Sequence, residues 1–286
     1  MWLRIILYGG TLGLIFFLIS TLISVIFFKS SIKIYWREFL VTMLLYTLAT
    51  ILTVGIFYFI LQIIEQNHYS KIVSSIVLYI AAPIIYAPLF AWDFIGAPLL
   101  HLLFSKKRII PKYTSIAANY GINAKVILAE KMKNACSTGL LGKSKTIIIG
   151  EELIKQMSSD EVKGILCHEI AHQKFNHIWF LLGLQIIYLY IFIILMKMGL
   201  LFENQYLGVV IMGALAGGLR PFLMMLMRPK ERQADLFAAN AVGEEVFISA
   251  LNKLNTMNKG RMEKFDFEHP RLSERIAYIR KCCLEK

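Results

Sequence analysis

Residues 158–196 read SSDEVKGILCHEIAHQKFNHIWFLLGLQIIYLYIFIILM. Ser158 and Glu161 form an S-x-x-E capping box, which starts a helix. Ten residues later His168-Glu169-Ile170-Ala171-His172 forms an H-E-x-x-H motif on that helix. The i, i+4 spacing places the two histidines about 40° apart on one face. Imidazoles so placed reach one Zn²⁺ at about 2.0–2.1 Å. Glu169 lies beside them, where it can take a proton from a zinc-activated water. From Ile178 to Met196 there is no charge, which reads as a membrane span. The pattern predicts that the zinc helix runs straight on into this span. Over ten residues from His168 to Ile178 a continuous helix would rise about 15 Å.

The rest of the chain suits such a helix. Of its 286 residues, 57% are hydrophobic and only 17% charged, against about 25% charged in a soluble domain. Its mean hydropathy is +0.60. These values exclude an ordinary soluble domain and a disordered chain. An all-β fold is excluded because the apolar residues form long runs without alternation. Four further apolar runs read as spans: Ile5–Phe28, Phe39–Ile64, Ile76–Phe104 and Tyr206–Met227, making about five. The first run is too long for a signal-peptide core and has no cleavage site after it, so it reads as a retained helix.

Charge sets the orientation. Lys+Arg number 31 against 19 Asp+Glu, a net +12. In a membrane protein this excess points to cytoplasmic loops before nucleic acid, and no nucleic-acid partner is expected. Basic residues follow the first span (Lys29, Lys33, Arg37), the third (Lys106, Lys107, Arg108, Lys112) and the fifth (Arg228, Lys230, Arg232). The N-terminus is then outside and the C-terminus inside, with Arg4 a weak dissent. The chain divides into a three-span membrane region (1–104), a cytoplasmic segment with the zinc helix (105–177), a two-span hairpin (178–227) and a second cytoplasmic segment (228–286). The four cysteines, Cys136, Cys167, Cys282 and Cys283, form no C-x-x-C pair and read as reduced thiols.

The cytoplasmic segments read as α+β. Tyr113–Tyr120 is an expected helix, and Lys125–Glu130, Asn134–Thr138 and Lys145–Ile149 are expected strands. Helices are expected over Glu151–Met157, Glu231–Asn240, Val246–Met257 and Leu272–Cys283.

A catalytic zinc needs a third protein ligand and an open position. The hairpin returns the chain to the same membrane face at Glu231-Arg232-Gln233-Ala234-Asp235. Glu231 suits the third ligand. Asp235, one turn on, suits an acceptor for the second N–H of a ligating histidine. The alternative is a solvated acidic face answering Lys230 and Arg232. His177 falls about 180° around the helix from His168, which makes it an interfacial residue and not a ligand. His269 could donate to an oxyanion, or His269-Pro270 could simply start a helix. Asp93 and Arg220 either pair structurally or line a wet cavity.

These motifs resemble the integral-membrane zinc endopeptidases that include the prenyl-protein (CAAX) endopeptidase and the bacterial heat-shock protease HtpX. The resemblance runs from about Tyr113 to Ile279. It rests on Asn134-Ala135-x-x-Thr138-Gly139, the S-x-D-E run into H-E-x-x-H, the E-x-x-A-D helix and His269-Pro270. It implies a polytopic α-helical membrane protein carrying a small α+β metallopeptidase domain of the gluzincin type. It also implies one Zn²⁺ per chain held by His168, His172 and Glu231, with Glu169 as base and Asp235 orienting a ligand histidine. Five spans match neither subgroup, since the heat-shock members have four and the prenyl-protein enzymes more. The substrate expected is an extended, membrane-associated polypeptide that adds to an edge strand at Asn134, Ala135 and Cys136. Two rival readings are a signalling receptor with a zinc-protease domain and an inert metal-binding membrane scaffold. The small outside loops and short C-terminal segment weigh against the first, and Glu169 against the second.

Overall fold

The computed structural model describes residues 108–285, except 131, 200 and a scatter of positions between 205 and 221. The first three expected spans, Asp93 and Arg220 lie outside the described residues, and the fifth span falls on them only in part. The chain forms two compact units, 1–92 with 184–223, and 93–183 with 224–286. All the candidate site residues belong to the second.

That unit is helix-rich with one small sheet. The sheet has strands β1 (Arg108–Ile109), β2 (Lys125–Ala129), β3 (Ala135–Thr138) and β4 (Thr146–Gly150) in the order β1-β2-β4-β3. β2 and β4 run parallel, pairing Ile127 with Ile148, while β3 runs antiparallel to β4, pairing Cys136 with Ile148. β3 is therefore an edge strand among the described residues, with its outer side unpaired by the sheet. The β3–β4 connection needs Gly139. Its φ is +88°, and an added Cβ would lie 2.1 Å from the Ser144 carbonyl oxygen, a collision no other residue avoids.

Helix α1 (Pro111–Asn119) opens on a proline, whose missing N–H costs nothing at that position. α2 (Glu151–Gln156) follows β4 directly. α3 (Ser159–Lys174) starts at the expected capping box, with Glu161 N–H donating to Ser158 Oγ at 3.3 Å and Ser158 N–H to Glu161 Oε2 at 2.7 Å. α5 (Arg228–Val242), α6 (Glu244–Met257) and α7 (Leu272–Leu284) complete the unit after the excursion through α4 (His177–Gly199).

The core lies between one sheet face and these helices. Val126, Ile147 and Ile149 from the sheet meet Leu166 and Ile170 of α3, with Ala238 of α5, Phe247 and Leu251 of α6 and Ile279 of α7. Alanines on α5 leave room for α3 to pack closely against it. Gly164 does the same on the other side, since a Cβ there would lie 3.1 Å from Phe247 Cδ2. Truncating Phe247 would cost about 3–5 kcal/mol, enough to endanger a marginal fold.

One expectation fails. The zinc helix does not run unbroken into the next segment. α3 ends at Phe175, and Asn176 takes a left-handed conformation at φ 57°. Asparagine tolerates that region and commonly ends helices. The chain then bends by 56° into α4. The 15 Å rise along one axis and the 180° placement of His177 both assumed a continuous helix, and neither holds. Among the described residues no single helix is long and apolar enough to cross a membrane. α3 with the first part of α4 passes that test only as a bent pair.

Candidate metal centre

A cleft of about 570 Å³ opens beside α3, with β3, Glu231 and segment 258–270 in its walls. Three of the expected residues meet there. One ligand atom each from His168, His172 and Glu231 lies within 4.8 Å of the others. The two imidazole Nε2 atoms are 3.1 Å apart. Glu231 reaches both, with Oε2 at 3.5 Å from His168 Nε2 and Oε1 at 3.4 Å from His172 Nε2. Nothing local in α5 explains why a carboxylate should be buried there. The histidines do: burial alone would raise the Glu231 carboxyl, yet His269, His172 and His168 together hold it well below the ordinary range. Two nitrogens and a carboxylate oxygen converging on one point are a donor set that fits Zn²⁺.

The remaining ring nitrogens are occupied on the far sides. Asp235 is fully buried, and its Oδ1 lies 3.0 Å from His168 Nδ1. The contact is close, but it misses the ring's N–H direction and is not a linear hydrogen bond. Burial depresses the His168 imidazole, but Asp235 and Glu231 outweigh it and lift the group to about 10. Asp235 is in turn gripped by Arg275, whose Nε donates to Oδ2 at 2.8 Å and whose second N–H group donates to Oδ1 at 2.5 Å. His172 has a different support. Its Nδ1 lies 3.1 Å from His177 Nδ1, and His177 Nε2 lies 3.0 Å from Gln233 Oε1. Burial, reinforced by the His168 and His269 charges, lowers His172 to about 4.

Two of these residues escaped the sequence reading. His177 is almost fully buried beside His172, because the break at Asn176 swings it back to the site. The signal was the Phe175-Asn176 pair, a helix terminator placed just before it. Arg275 carried no signal, as a basic residue on an amphipathic helix is ordinarily solvated.

Glu169 lies in the same cleft. Burial raises its carboxyl above the ordinary range, partly offset by the His168 charge and by a hydrogen bond with Ser137. His269 also reaches the site. Its Nδ1 is 3.1 Å from Glu231 Oε2, and its side chain stays 48% exposed. Partial desolvation opposes its charging, but the Glu231 carboxylate outweighs it and lifts the group to about 9. Asn134, Ala135 and Cys136 line the cleft as well. Burial, then the Glu169 charge, pushes the Cys136 thiol up to about 12, so it stays protonated.

The comparisons with known proteins agree with this geometry. The chain is 24% identical over 179 residues to Protease HtpX of Histophilus somni, covering 51% of this chain and 61% of that protein. It is 29% identical over 159 residues to a Protease HtpX homolog of Campylobacter hominis, covering 51% of this chain and 55% of that protein. The matches thus span about three fifths of the relatives' length. Among solved structures, the fold is similar to that of S. mikatae Ste24p, with a TM-score of 0.60 and 22% identity over 82% of this chain and 64% of that chain. A family model, Peptidase family M48, matches residues 106–282. With that match across most of its length, the chain belongs to peptidase family M48.

Proposed function

We propose that this chain is an integral-membrane zinc endopeptidase that cleaves membrane-associated polypeptides. The observation that carries the proposal is the convergence of His168, His172 and Glu231 beside the buried carboxyl of Glu169 in one open cleft. His168, His172 and Glu231 would hold the ion. Zinc there would polarise the scissile carbonyl and activate water near neutral pH.

The protein's own groups supply the rest. Asp235, gripped by Arg275, turns His168 so that Nε2 faces the centre, and the His177–Gln233 pair does the same for His172. Glu169 is the general base. Its raised carboxyl holds a proton more readily than a surface glutamate, which suits accepting one from water and passing it to the leaving amine. His269 is the candidate donor to the oxyanion, since it lines the cleft and its ring lies 3.1 Å from the Glu231 carboxylate. An extended substrate would pair with the outer side of β3 along Asn134, Ala135 and Cys136, which holds its backbone and leaves side-chain choice loose. A scaffold with an inert metal site would have no use for Glu169.

The five-span arrangement, with N-terminus outside and C-terminus inside, belongs to the same proposal. Its support is the charge asymmetry of the loops. A reporter fused after Lys286 should read as cytoplasmic.

The test is metal analysis and proteolysis by the purified full chain. About one Zn²⁺ per chain is expected from the three-ligand rule. Glu169→Gln should keep the ion and lose nearly all cleavage, because Gln cannot take the proton. Near-normal cleavage by that variant, or full zinc in Glu231→Ala, would remove the respective residue from its role.

A further inference from the structure

Arg228 is the first residue of α5, one helical turn ahead of Glu231. Its side chain leaves the helix and grips the segment that carries His269. The second guanidinium N–H group donates to the Asp266 carbonyl at 2.6 Å, and Nε donates to the Phe267 carbonyl at 3.3 Å. The guanidinium lies 5.2 Å from the centre of the Phe265 ring. On the far side of that grip, Asp266 Oδ1 accepts from the backbone N–H groups of Glu268 at 2.7 Å and His269 at 3.2 Å. The chain therefore folds into a tight turn that delivers His269 to Glu231, 3.1 Å away.

The segment needs such a tie. The His269 side chain is half exposed, so packing does not hold it. Further anchors lie on either side of the turn, where Glu263 accepts from Ser273 and Asn255 accepts from Met262 N–H. Helix α5 thus meets the His269 turn at two points one helical turn apart, Arg228 and Glu231.

We propose that Arg228 is a positioning residue that clamps segment 265–267 to helix α5 and so sets His269 over the metal centre. The proposal rests on the peptidase reading for its catalytic consequence, while the clamp itself stands on the contacts above. Arginine suits the task because its planar fork can serve two carbonyls and stack on a ring at once, whereas lysine offers a compact point charge. That difference also separates the clamp from a second role open to this residue, a positive charge flanking a membrane span, which lysine would fill equally well.

The experiment uses the purified full chain as wild type, Arg228→Ala, Arg228→Lys, His269→Ala and the Arg228→Ala/His269→Ala double variant. Hydrogen exchange, zinc content, kcat and KM are measured on each. In Arg228→Ala the amides of Glu268 and His269 should exchange at least about 10-fold faster as the turn opens, with the α3 amides and zinc content unchanged. kcat should fall by about 10–100-fold, bounded by the loss of a whole oxyanion donor, with KM within about 3-fold. Arg228→Lys should fold like the wild type and lie between the two. In the His269→Ala background, removing Arg228 should cost less than about 3-fold, because there is no longer a donor to position. Multiplying losses in the double variant, full rescue by lysine, or unchanged exchange in the 264–270 segment would each overturn the proposal. If the wild type shows no zinc- and Glu169-dependent cleavage, the peptidase reading fails and exchange alone decides the clamp.

Discussion

Arg275→Leu should be among the most damaging single substitutions in the second unit, although Arg275 touches no ligand atom. Arg275 and Asp235 are both buried, so their charges are held out of water and depend on each other. Leucine would remove two charge-assisted hydrogen bonds, at 2.8 and 2.5 Å, each worth about 1.5–3 kcal/mol. It would leave a buried carboxylate facing His168 alone. Breaking a buried pair from one side costs about 3–5 kcal/mol, which agrees with the sum. For a domain of this size about 2–4 °C of midpoint is lost per kcal/mol, so a fall of about 6–20 °C is expected. Zinc affinity should drop about 10–100-fold as Asp235, no longer gripped, stops holding the His168 ring in place. Asp235→Asn/Arg275→Leu removes both charges and should be more stable than Arg275→Leu alone, the reverse of additivity. Thermal unfolding in detergent and competition with a chromophoric chelator measure the two effects. A midpoint shift equivalent to less than about 1 kcal/mol for Arg275→Leu, or simple additivity in the double variant, would refute the reasoning.

His177→Phe keeps a ring but loses both nitrogens, so zinc affinity should weaken about 10–100-fold while the fold survives. An unchanged affinity in the same competition assay would return His177 to a packing role. Glu161 provides a pH-dependent test far from the cleft. Burial opposes its ionisation, but Lys253, the Ser158 N–H and Ser249 outweigh this and lower it from 4.5 to about 2. A carboxyl depressed on folding contributes stability that is fully present above its unfolded value and lost as pH falls through its folded one. The wild type should therefore lose about 2 kcal/mol between about pH 5 and pH 2 that Glu161→Gln has already lost at neutral pH. Parallel stability curves for the two proteins across that range would contradict it.

Much of the site was legible because its signals are local. H-E-x-x-H reads directly as a face of a helix, since i, i+4 spacing fixes the angle between His168 and His172 whatever surrounds them. The Ser158–Glu161 capping box marked the start of that helix to the residue. β2, β3 and β4 lie within a residue or so of the expected strands, β2 and β4 because Val- and Ile-rich runs favour strands and β3 because Gly139 turns the chain back beside β4. Glu231 and Asp235 were within reach of the same argument once a hairpin was assumed to bring the chain back.

What lay beyond the sequence were the relations between segments far apart in it, and one local break. A continuous helix through Asn176 was the simpler reading, as its left-handed turn depends on one residue against a long apolar pattern. That break decides where His177 goes. Arg228 reads only as a loop charge after a span, and Arg275 stands in no motif. Only the tertiary structure buries one beside Asp235 and turns the other onto the Asp266 and Phe267 carbonyls. The sequence by itself determined the helix that presents two histidines and a glutamate, because helical geometry is set by the backbone. Tertiary packing alone decided which distant charges hold those groups in place, because a side chain's partner depends on which surfaces meet once the core has closed.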